Sequence, residues 1–361
     1  MKLVAFGLTV SSSWGNGHAT LWRGLQRALA QRGWRVVFFE RDVPYYAQNR
    51  DLEALPGGEL ILYRDWADVE TLARRHLGDA DVAMVTSYCP DGIAAGALAS
   101  EAPRPLSVFY DLDTPITLAH LRQGEATSYM GPRGLRDYEL VLSYTGGAAL
   151  EQLRSLTGAR WVETLYGHVD PDRHHPAAHA PQYRAHLSYI GTYGADRQER
   201  LQRLFIDPAV ERPDLRFVLA GAQYPEEFPW TDNIFFVRHL PPDEHPAFYA
   251  SSRSTLNVTR NDMASMGWCP SGRLFEAAAC GAAIISDRWE GLDAFFEPDR
   301  DILVADTCQD VVDALDLSDI ELDRIGVAAR ARVLDEHTSA NRAARLETLF
   351  ARAADPARRE I

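Results

Sequence analysis

The chain has 361 residues, of which 46% are hydrophobic and 24% charged, and this length predicts a globular protein of two domains. The net charge of −14 argues against general nucleic-acid binding, and no apolar tract is long enough to predict a transmembrane segment. The sequence enters a strand pattern at once, without a basic and apolar leader, so we expect a cytoplasmic protein.

The first half of the chain alternates strand and helix patterns. The apolar run "KLVAFGLTV" (2–10) predicts a strand buried on both faces, and the helical pattern "HATLWRGLQRALAQRG" (18–33) follows the turn "SSSWGNGHAT" (11–20). Further strand candidates are "WRVVFFE", "ELILYRD", "ADVAMVTSY", "PLSVFYDLD" and "YELVLSYT". Strands that alternate with helices predict a parallel, doubly wound sheet.

A segment rich in proline and histidine, "GHVDPDRHHPAAHAPQYRAH" (167–186), separates this half from a second alternating half. The second half includes the strand candidates "LSYIGTYG", "LRFVLAGA", "NIFFVRHL", "STLNVTR" and "AAIISD". Two halves of this kind are expected to place ligands at the carboxyl ends of their strands.

Neither the cysteines nor the histidines predict a metal site. The four cysteines are scattered without a CxxC pair and are expected to be free thiols; they are Cys89, Cys269, Cys280 and Cys308. The closely spaced histidines in the proline-rich segment lack regular spacing, which favours a solvated linker over a metal site; they are His174, His175, His179 and His186.

Four segments resemble glycosyltransferases of the GT-B fold, especially the CgeB-like group related to glycosyltransferase family 4. They are "FYDLDTP" (109–115), "YGHVDPDRHHP" (166–176), "SYIGTYGADRQERL" (188–201) and "SGRLFEAAACGAAIISD" (271–287). The segment 109–115 resembles an acidic segment of the CgeB-like group, and 166–176 resembles the interdomain hinge. The segment 188–201 resembles the first strand of the second domain with its phosphate loop, and 271–287 resembles the donor-site segment. The resemblance implies two Rossmann-like doubly wound domains facing a cleft, and transfer of a sugar from a nucleotide-diphosphate sugar.

The expected domains follow from the patterns and the resemblance together. Residues 1–170 would form an acceptor-binding domain, 171–183 a linker, and 184–337 a domain that binds the nucleotide sugar. Residues 338–361 would form a final helix that packs back on the first domain, as the resemblance implies.

The segment "SGRLFEAAACG" (271–281) carries the best-supported donor site. Ser271 occupies an N-cap position, Gly272 begins the helix, and the free N–H groups of the first turn suit a diphosphate. Arg273 in this turn can contact a diphosphate oxygen, and Glu276 on the same face can accept hydrogen bonds from two ribose hydroxyls. The alternative is a surface salt bridge between Arg273 and Glu276.

Other residues after strands of the second half are further candidates for donor contacts. Gly191 and Gly194 permit close backbone approach, with Thr192 between them as a further donor-binding candidate. Arg197 lies in the first turn of the next helix and can reach the donor; a solvated Arg197 is the alternative. The backbone of His239 and Leu240 can pair with a nucleobase edge. Arg260, with Asn261, ends the strand "STLNVTR" (254–260).

The chain departs from the sequence pattern of family 4 enzymes at one position. Family 4 enzymes carry two glutamates eight positions apart; the second aligns with Glu276, and Trp268 stands in place of the first. The donor sugar and the stereochemical course therefore stay open.

His18 is the first candidate for a catalytic base. In GT-B enzymes a turn of this kind reaches the acceptor or the donor diphosphate, so Gly15, Asn16 and Gly17 are expected on the acceptor side. A neutral histidine there can deprotonate an acceptor hydroxyl. The alternatives are a contact from His18 to phosphate, and a solvent-facing histidine at a helix start.

Asp111 and Asp113 end the strand "PLSVFYDLD" (105–113) and are the other catalytic candidates. Alternate residues of an extended segment point the same way, so both carboxylates are expected to enter the site, one as base and one as an orienting group. Thr114 is expected to cap a helix that begins near Pro115. Tyr88, which also ends a strand, is a weaker candidate on the acceptor side.

These patterns predict a metal-independent glycosyltransferase that uses a nucleotide sugar and an unidentified acceptor, with no cofactor. Arginines and a helix N-terminus can stabilise the leaving diphosphate, and "DLD" (111–113) lies in the domain that is not expected to hold donor phosphates. Alternatives are a nucleotide-sugar epimerase or hydrolase, or a catalytically silent protein of polysaccharide or spore-coat assembly. A dinucleotide-dependent oxidoreductase is disfavoured because no GxGxxG follows the first strand, although Glu40 lies where a ribose-binding acid would be expected.

Overall fold

The computed structural model describes residues 1–355, which form two compact units. The first unit comprises Met1–Tyr166 and the segment that begins at Ser339, and the second comprises Gly167–Thr338. Within residues 1–355, no helix combines the length and the apolar character needed to span a bilayer.

The first unit contains a sheet of seven parallel strands in the order β3-β2-β1-β4-β5-β6-β7. The strands are β1 (Lys2–Gly7), β2 (Arg35–Arg41), β3 (Gly58–Tyr63), β4 (Val82–Thr86), β5 (Leu106–Asp111), β6 (Leu140–Ser143) and β7 (Val162–Thr164). The helices are α1 (Gly17–Gln31), α2 (Pro44–Ala47), α3 (Trp66–Gly78), α4 (Gly92–Glu101), α5 (Thr114–Gln123) and α6 (Ala148–Thr157). Every residue of β1, β4 and β5 is buried, which explains their largely apolar sequences.

The second unit contains a sheet of six parallel strands in the order β10-β9-β8-β11-β12-β13. The strands are β8 (Ala185–Ile190), β9 (Phe217–Gly221), β10 (Ile234–Arg238), β11 (Ser252–Asn257), β12 (Ala283–Ser286) and β13 (Leu303–Val304). The helices are α7 (Gln198–Leu201), α8 (Asp207–Glu211), α9 (His245–Ala250), α10 (Asn261–Met266), α11 (Gly272–Ala279), α12 (Cys308–Leu315) and α13 (Asp319–Glu336). The predicted pair of Rossmann-like parallel-sheet domains is therefore confirmed.

The segment predicted as one helix after β8 is irregular. A 3-10 turn at Ala195–Arg197 precedes α7, and a π-helical turn at Gln202–Ile206 joins α7 to α8. Pro208 lacks the N–H that would continue an α-helical hydrogen bond to Leu204, so the local change of helix type directly precedes the proline.

The last described helix, α14 (Ser339–Ala354), belongs to the first unit and packs against α1. Glu347 on α14 accepts hydrogen bonds from Nε of Arg32 at 2.8 Å and from Nε1 of Trp34 at 2.9 Å. The ring of Phe350 lies 5.7 Å from that of Trp34. Residues 356–361 of the predicted C-terminal segment lie outside the described residues.

Candidate functional sites in the two units

The loop after β1 is held by Glu40 at the end of β2. The Glu40 carboxylate is buried and accepts hydrogen bonds from the Thr9 hydroxyl at 2.7 Å and from the N–H groups of Val10 at 2.7 Å and Ser11 at 2.9 Å. These bonds satisfy a charge that would otherwise be costly to bury. Glu40 is therefore a structural residue, which removes the support it gave to a dinucleotide site.

The turn that follows this loop presents the start of α1. Asn16 is the N-cap, and its side chain accepts a hydrogen bond from the N–H of His18 at 3.0 Å. Gly15 has a φ of +58°, which explains the glycine there. Gly17 has no such φ, and a Cβ at position 17 would meet no atom within 4 Å. Space for close approach therefore exists beside the first turn of α1.

His18, Asp113 and Tyr88 lie together although they follow three different strands. Nε2 of His18 lies 3.7 Å from a carboxylate oxygen of Asp113, and the His18 and Tyr88 rings stack with centres 6.0 Å apart. The side chains of His18 and Asp113 are 22% and 17% exposed, so an external molecule can reach both. Burial, together with the adjacent Asp113 carboxylate, raises the pKa of Tyr88 well above its ordinary value. Tyr88 also has a positive φ of 65°, an uncommon conformation for a non-glycine residue.

The expectation that Asp111 and Asp113 both enter the open site is wrong. Asp111 is fully buried, and one oxygen accepts hydrogen bonds from the Thr117 hydroxyl at 3.0 Å and the Asp113 N–H at 3.3 Å. Asp113 is the N-cap residue of α5 with ψ 58°, so the extended alternation ends before it. Thr114 is accordingly not the cap: it is the first residue of α5, and its hydroxyl bonds that of Ser143 at 2.7 Å.

The start of α11 in the second unit has the predicted form. The Ser271 side chain caps the helix by accepting a hydrogen bond from the Arg273 N–H at 3.3 Å. Gly272 is the first helical residue, and a Cβ there would meet nothing within 4 Å. The first-turn N–H groups, which a helix leaves without internal partners, are thus approachable on this side.

Arg273 turns toward the loop after β8. Its Nη1 donates to the Asn257 side-chain oxygen at 3.0 Å, and its guanidinium carbon lies 5.0 Å from the centre of the Tyr189 ring. A Cβ at Gly191 would lie 2.9 Å from Nη2 of Arg273 and 2.7 Å from the Tyr189 hydroxyl, so a larger residue there would displace these side chains. Among the described residues, no salt bridge joins Arg273 to Glu276, and the salt-bridge alternative is therefore wrong.

Arg197 lies on the same edge of the second sheet. Its Nη1 donates to the Thr192 carbonyl at 3.1 Å, whereas its Nε is buried without a hydrogen-bond partner among residues 1–355. Arg260 is engaged in an ion pair, with its Nε 3.0 Å from an Asp196 oxygen. Leu240 is buried, and His239 has a positive φ of 52°. The predicted contact of their backbone with a nucleobase stays a prediction.

Glu276 lies one turn into α11 with two histidines that the sequence did not connect to it. One oxygen of Glu276 lies 4.0 Å from Nδ1 of His245, and its carboxylate accepts no hydrogen bond within the described part of the chain. His174 is only 1% exposed and its ring centre lies 5.8 Å from that of His245. Burial lowers the pKa of His174 and of His245 to about 4, which keeps both imidazoles neutral at neutral pH.

The solvated-linker interpretation of the proline-rich segment is wrong for two of its histidines. His174 is buried beside His245, and His186 belongs to β8, where its Nδ1 accepts a hydrogen bond from the Arg216 N–H at 2.9 Å. His245 itself begins α9, and no spacing rule links it to Glu276, since tertiary packing alone brings α9 to α11. Trp268, which replaces the first family 4 glutamate, donates from Nε1 to Glu290 at 3.4 Å.

Comparisons with known proteins fit this architecture. Residues 197–348 match the model of a family described as glycosyl transferase-like. Sucrose-phosphate synthase from Thermosynechococcus elongatus superposes with a TM-score of 0.70 at 14% identity, over 98% of this chain and 99% of the other. The chain has the GT-B fold.

Two further solved structures share the GT-B fold at similarly low identity. Anabaena HepE in complex with UDP-glucose gives a TM-score of 0.67 at 13% identity, over 97% of this chain and 100% of the other. T4 phage β-glucosyltransferase gives a TM-score of 0.62 at 14% identity, over 98% and 100%. A search of curated proteins finds no match.

Proposed function

We propose that the protein is a glycosyltransferase that moves a sugar from a nucleoside-diphosphate sugar to an acceptor hydroxyl without a metal cofactor. The observation that carries the proposal is the arrangement at the start of α11, where three residues lie within one and a half helical turns. The Cβ position of Gly272 is unobstructed, Arg273 points toward the loop after β8, and the Glu276 carboxylate accepts no hydrogen bond among the described residues. The glycosyl transferase-like match covers this helix.

The second unit holds the donor in this proposal. The N–H groups at the start of α11 and the guanidinium of Arg273 bind the diphosphate, and the guanidinium of Arg197, which lies on the same edge of the sheet, adds positive charge. Glu276 accepts hydrogen bonds from the ribose hydroxyls, and the backbone at His239 and Leu240 meets the base. Positive groups fixed in place before the reaction stabilise the charge that develops on the leaving diphosphate.

The first unit binds the acceptor and supplies the base. His18 takes the proton from the acceptor hydroxyl, and the imidazolium that results lies 3.7 Å from the Asp113 carboxylate, which stabilises it. Tyr88 orients this pair through its contacts with both residues. Asp111, which is fully buried, acts by fixing the N–H of Asp113 rather than by touching a substrate.

The donor to test first is a uridine-diphosphate sugar, because the HepE structure with the same fold contains UDP-glucose. The motifs in residues 166–201 and 271–287 further support membership of the CgeB-like group, related to glycosyltransferase family 4. The acceptor is a hydroxyl compound whose identity the fold does not specify.

Calorimetry with UDP, GDP, dTDP and ADP tests the donor half of the proposal. Binding of at least one of them in the micromolar to millimolar range is expected, and its loss in Arg273→Ala places it at α11. A nucleotide sugar should then release nucleoside diphosphate only when an acceptor is added. Turnover without an acceptor would indicate the epimerase or hydrolase alternative, and binding without turnover across an acceptor panel would indicate a silent assembly protein.

A further inference from the structure

The second unit gathers three metal-ligating side chains at one point. His174, His245 and Glu276 each offer one ligand atom, and these atoms all lie within 4.8 Å of one another. His174 comes from the proline-rich segment, His245 from the first turn of α9, and Glu276 from α11. Because three separate segments converge here, the cluster is a product of tertiary packing and not of local sequence.

Three ring nitrogens of this cluster lack hydrogen-bond partners among residues 1–355. Both ring nitrogens of His174, which is 1% exposed, and Nδ1 of His245 are buried without a hydrogen bond among the described residues. The adjacent Tyr249 hydroxyl is equally unpartnered. A buried polar group without a hydrogen-bond partner destabilises the fold, so several of them around one point indicate a ligand that satisfies them.

The donor set identifies the class of ligand. Two imidazole nitrogens and one carboxylate oxygen are a ligand set that zinc uses, whereas calcium and magnesium prefer oxygen ligands. Tetrahedral zinc with bonds of about 2.0–2.1 Å needs ligand atoms about 3.3 Å apart. In this structure the three ligand atoms lie within 4.8 Å of one another, with 4.0 Å between Nδ1 of His245 and the Glu276 oxygen, so a bound zinc would draw them closer together.

We propose that His174, His245 and Glu276 bind a zinc ion through two imidazole nitrogens and one carboxylate oxygen, and that zinc competes with the nucleotide for Glu276. The competition rests on the proposed function, because it requires that Glu276 bind the ribose. Zinc is then an inhibitory ligand of the donor site, and the transfer reaction itself needs no metal.

The surroundings of His245 suit this role. The Leu240 backbone lies beside the His245 ring, and Nδ1 of the ring faces Glu276. An imidazole with a backbone neighbour on one side and a free nitrogen on the other is typical of metal-bound histidine. The same contact places Leu240, a candidate for the nucleobase contact, next to the cluster, so an occupied metal site and an occupied nucleotide site share residues.

Titration calorimetry with zinc chloride on the full, chelator-treated protein tests the binding. One zinc per chain is expected, with affinity reduced at least tenfold in His174→Ala and in Glu276→Gln. His175→Ala is the matched control, because His175 is the exposed neighbour of His174 and should bind zinc as the unchanged protein does. Cobalt substitution should give the visible absorption of a tetrahedral site. Equal zinc affinity in all four proteins would overturn the proposal.

A second titration separates this inference from the proposed function. Zinc should raise the apparent Kd of the nucleotide in proportion to its concentration in the unchanged protein, and have no such effect in His174→Ala. Nucleotide binding that zinc leaves unaltered would overturn the inference while the proposed function stands. Zinc binding at the cluster in a protein that binds no nucleoside diphosphate would instead overturn the proposed function and the competition, and retain the metal site.

Discussion

The carboxylate of Asp113 lies 3.7 Å from Nε2 of His18, although one residue follows β5 and the other follows β1. Parallel strands place their carboxyl ends at one edge of the sheet, and β4, which carries Tyr88 just beyond its end, lies between β1 and β5. The first unit thus brings an imidazole and a carboxylate together at one edge of its sheet.

Substitution of either partner should slow turnover. We expect His18→Ala and Asp113→Asn each to reduce kcat by about 10²–10⁴-fold, the usual effect of losing general-base assistance. Nucleotide affinity should not change, because the donor contacts belong to the second unit. Steady-state kinetics beside calorimetry checks both quantities.

His120→Ala is the matched control for the base. His120 is an exposed histidine of the first unit that also lies 3.7 Å from a carboxylate, that of Glu125. Its substitution should leave kcat unaltered. Near-normal turnover in both His18→Ala and Asp113→Asn would show that neither residue takes part in proton transfer.

Asp111 should make stability depend on pH. Burial, as the largest cause, raises the pKa of Asp111 to about 7 in the folded protein, against an ordinary value of 3.8. The folded state therefore holds the Asp111 proton more tightly than the unfolded state does. Protonation of Asp111 contributes fully to the free energy of unfolding below pH 4, and this contribution is lost as the pH rises through about 7. Asp111→Asn retains the hydrogen-bonding oxygen without the titration.

Urea unfolding of both proteins between pH 4 and 8 measures this contribution. The free energy of unfolding of the unchanged protein should fall relative to that of Asp111→Asn across this range. Parallel curves would mean that Asp111 is ionised in the folded protein at every pH examined.

Gly272 gives a test of backbone access at α11. A methyl group at position 272 meets no atom of residues 1–355 within 4 Å, so Gly272→Ala should keep or slightly raise the melting temperature. The methyl group would obstruct the diphosphate, and loss of a charge-assisted hydrogen bond of about 1.5–3 kcal/mol should weaken nucleotide binding about tenfold or more. Gly78→Ala, another glycine with an unobstructed Cβ position, is the control and should bind normally. Normal nucleotide affinity in Gly272→Ala would show that the diphosphate does not closely approach the first turn of α11.

Treatment with EDTA should leave transfer activity intact. The proposed site stabilises the leaving diphosphate with arginines and helix N–H groups, which need no metal. The measurement is initial rate before and after chelation, with manganese and magnesium added back. Loss of activity that either metal restores would reject the metal-independent mechanism.

The sequence predicts the architecture because strands that are buried on both faces have apolar sequences that can be recognised without knowledge of the fold. The largely apolar sequences of β1, β4 and β5 predict a parallel sheet that is covered on both faces, and every residue of these strands is buried in the structure. The cap at Ser271 is equally local, since a serine before an apolar helical run satisfies a backbone N–H whatever surrounds it.

Other features depend on contacts between distant segments and could not be predicted. The alternation of residues along a strand predicts that the Asp111 carboxylate enters the site together with that of Asp113. In the structure Asp113 is not in an extended conformation, and Asp111 is buried. Likewise, the irregular spacing of the histidines predicts a solvated position for His174, whereas tertiary packing places it beside His245. Periodicity reports which face a residue occupies, and it carries no information about which segments meet.

Glu276 carries the central claim, that α11 binds the ribose of the donor. The most direct measurement is nucleotide affinity, by calorimetry, together with the melting temperature of Glu276→Ala. A charged hydrogen bond of roughly 1.5–3 kcal/mol predicts an affinity about ten- to a hundredfold weaker, with an unchanged melting temperature because the carboxylate supports no hydrogen bond of the fold. Unchanged affinity, with or without a lower melting temperature, would contradict the claim.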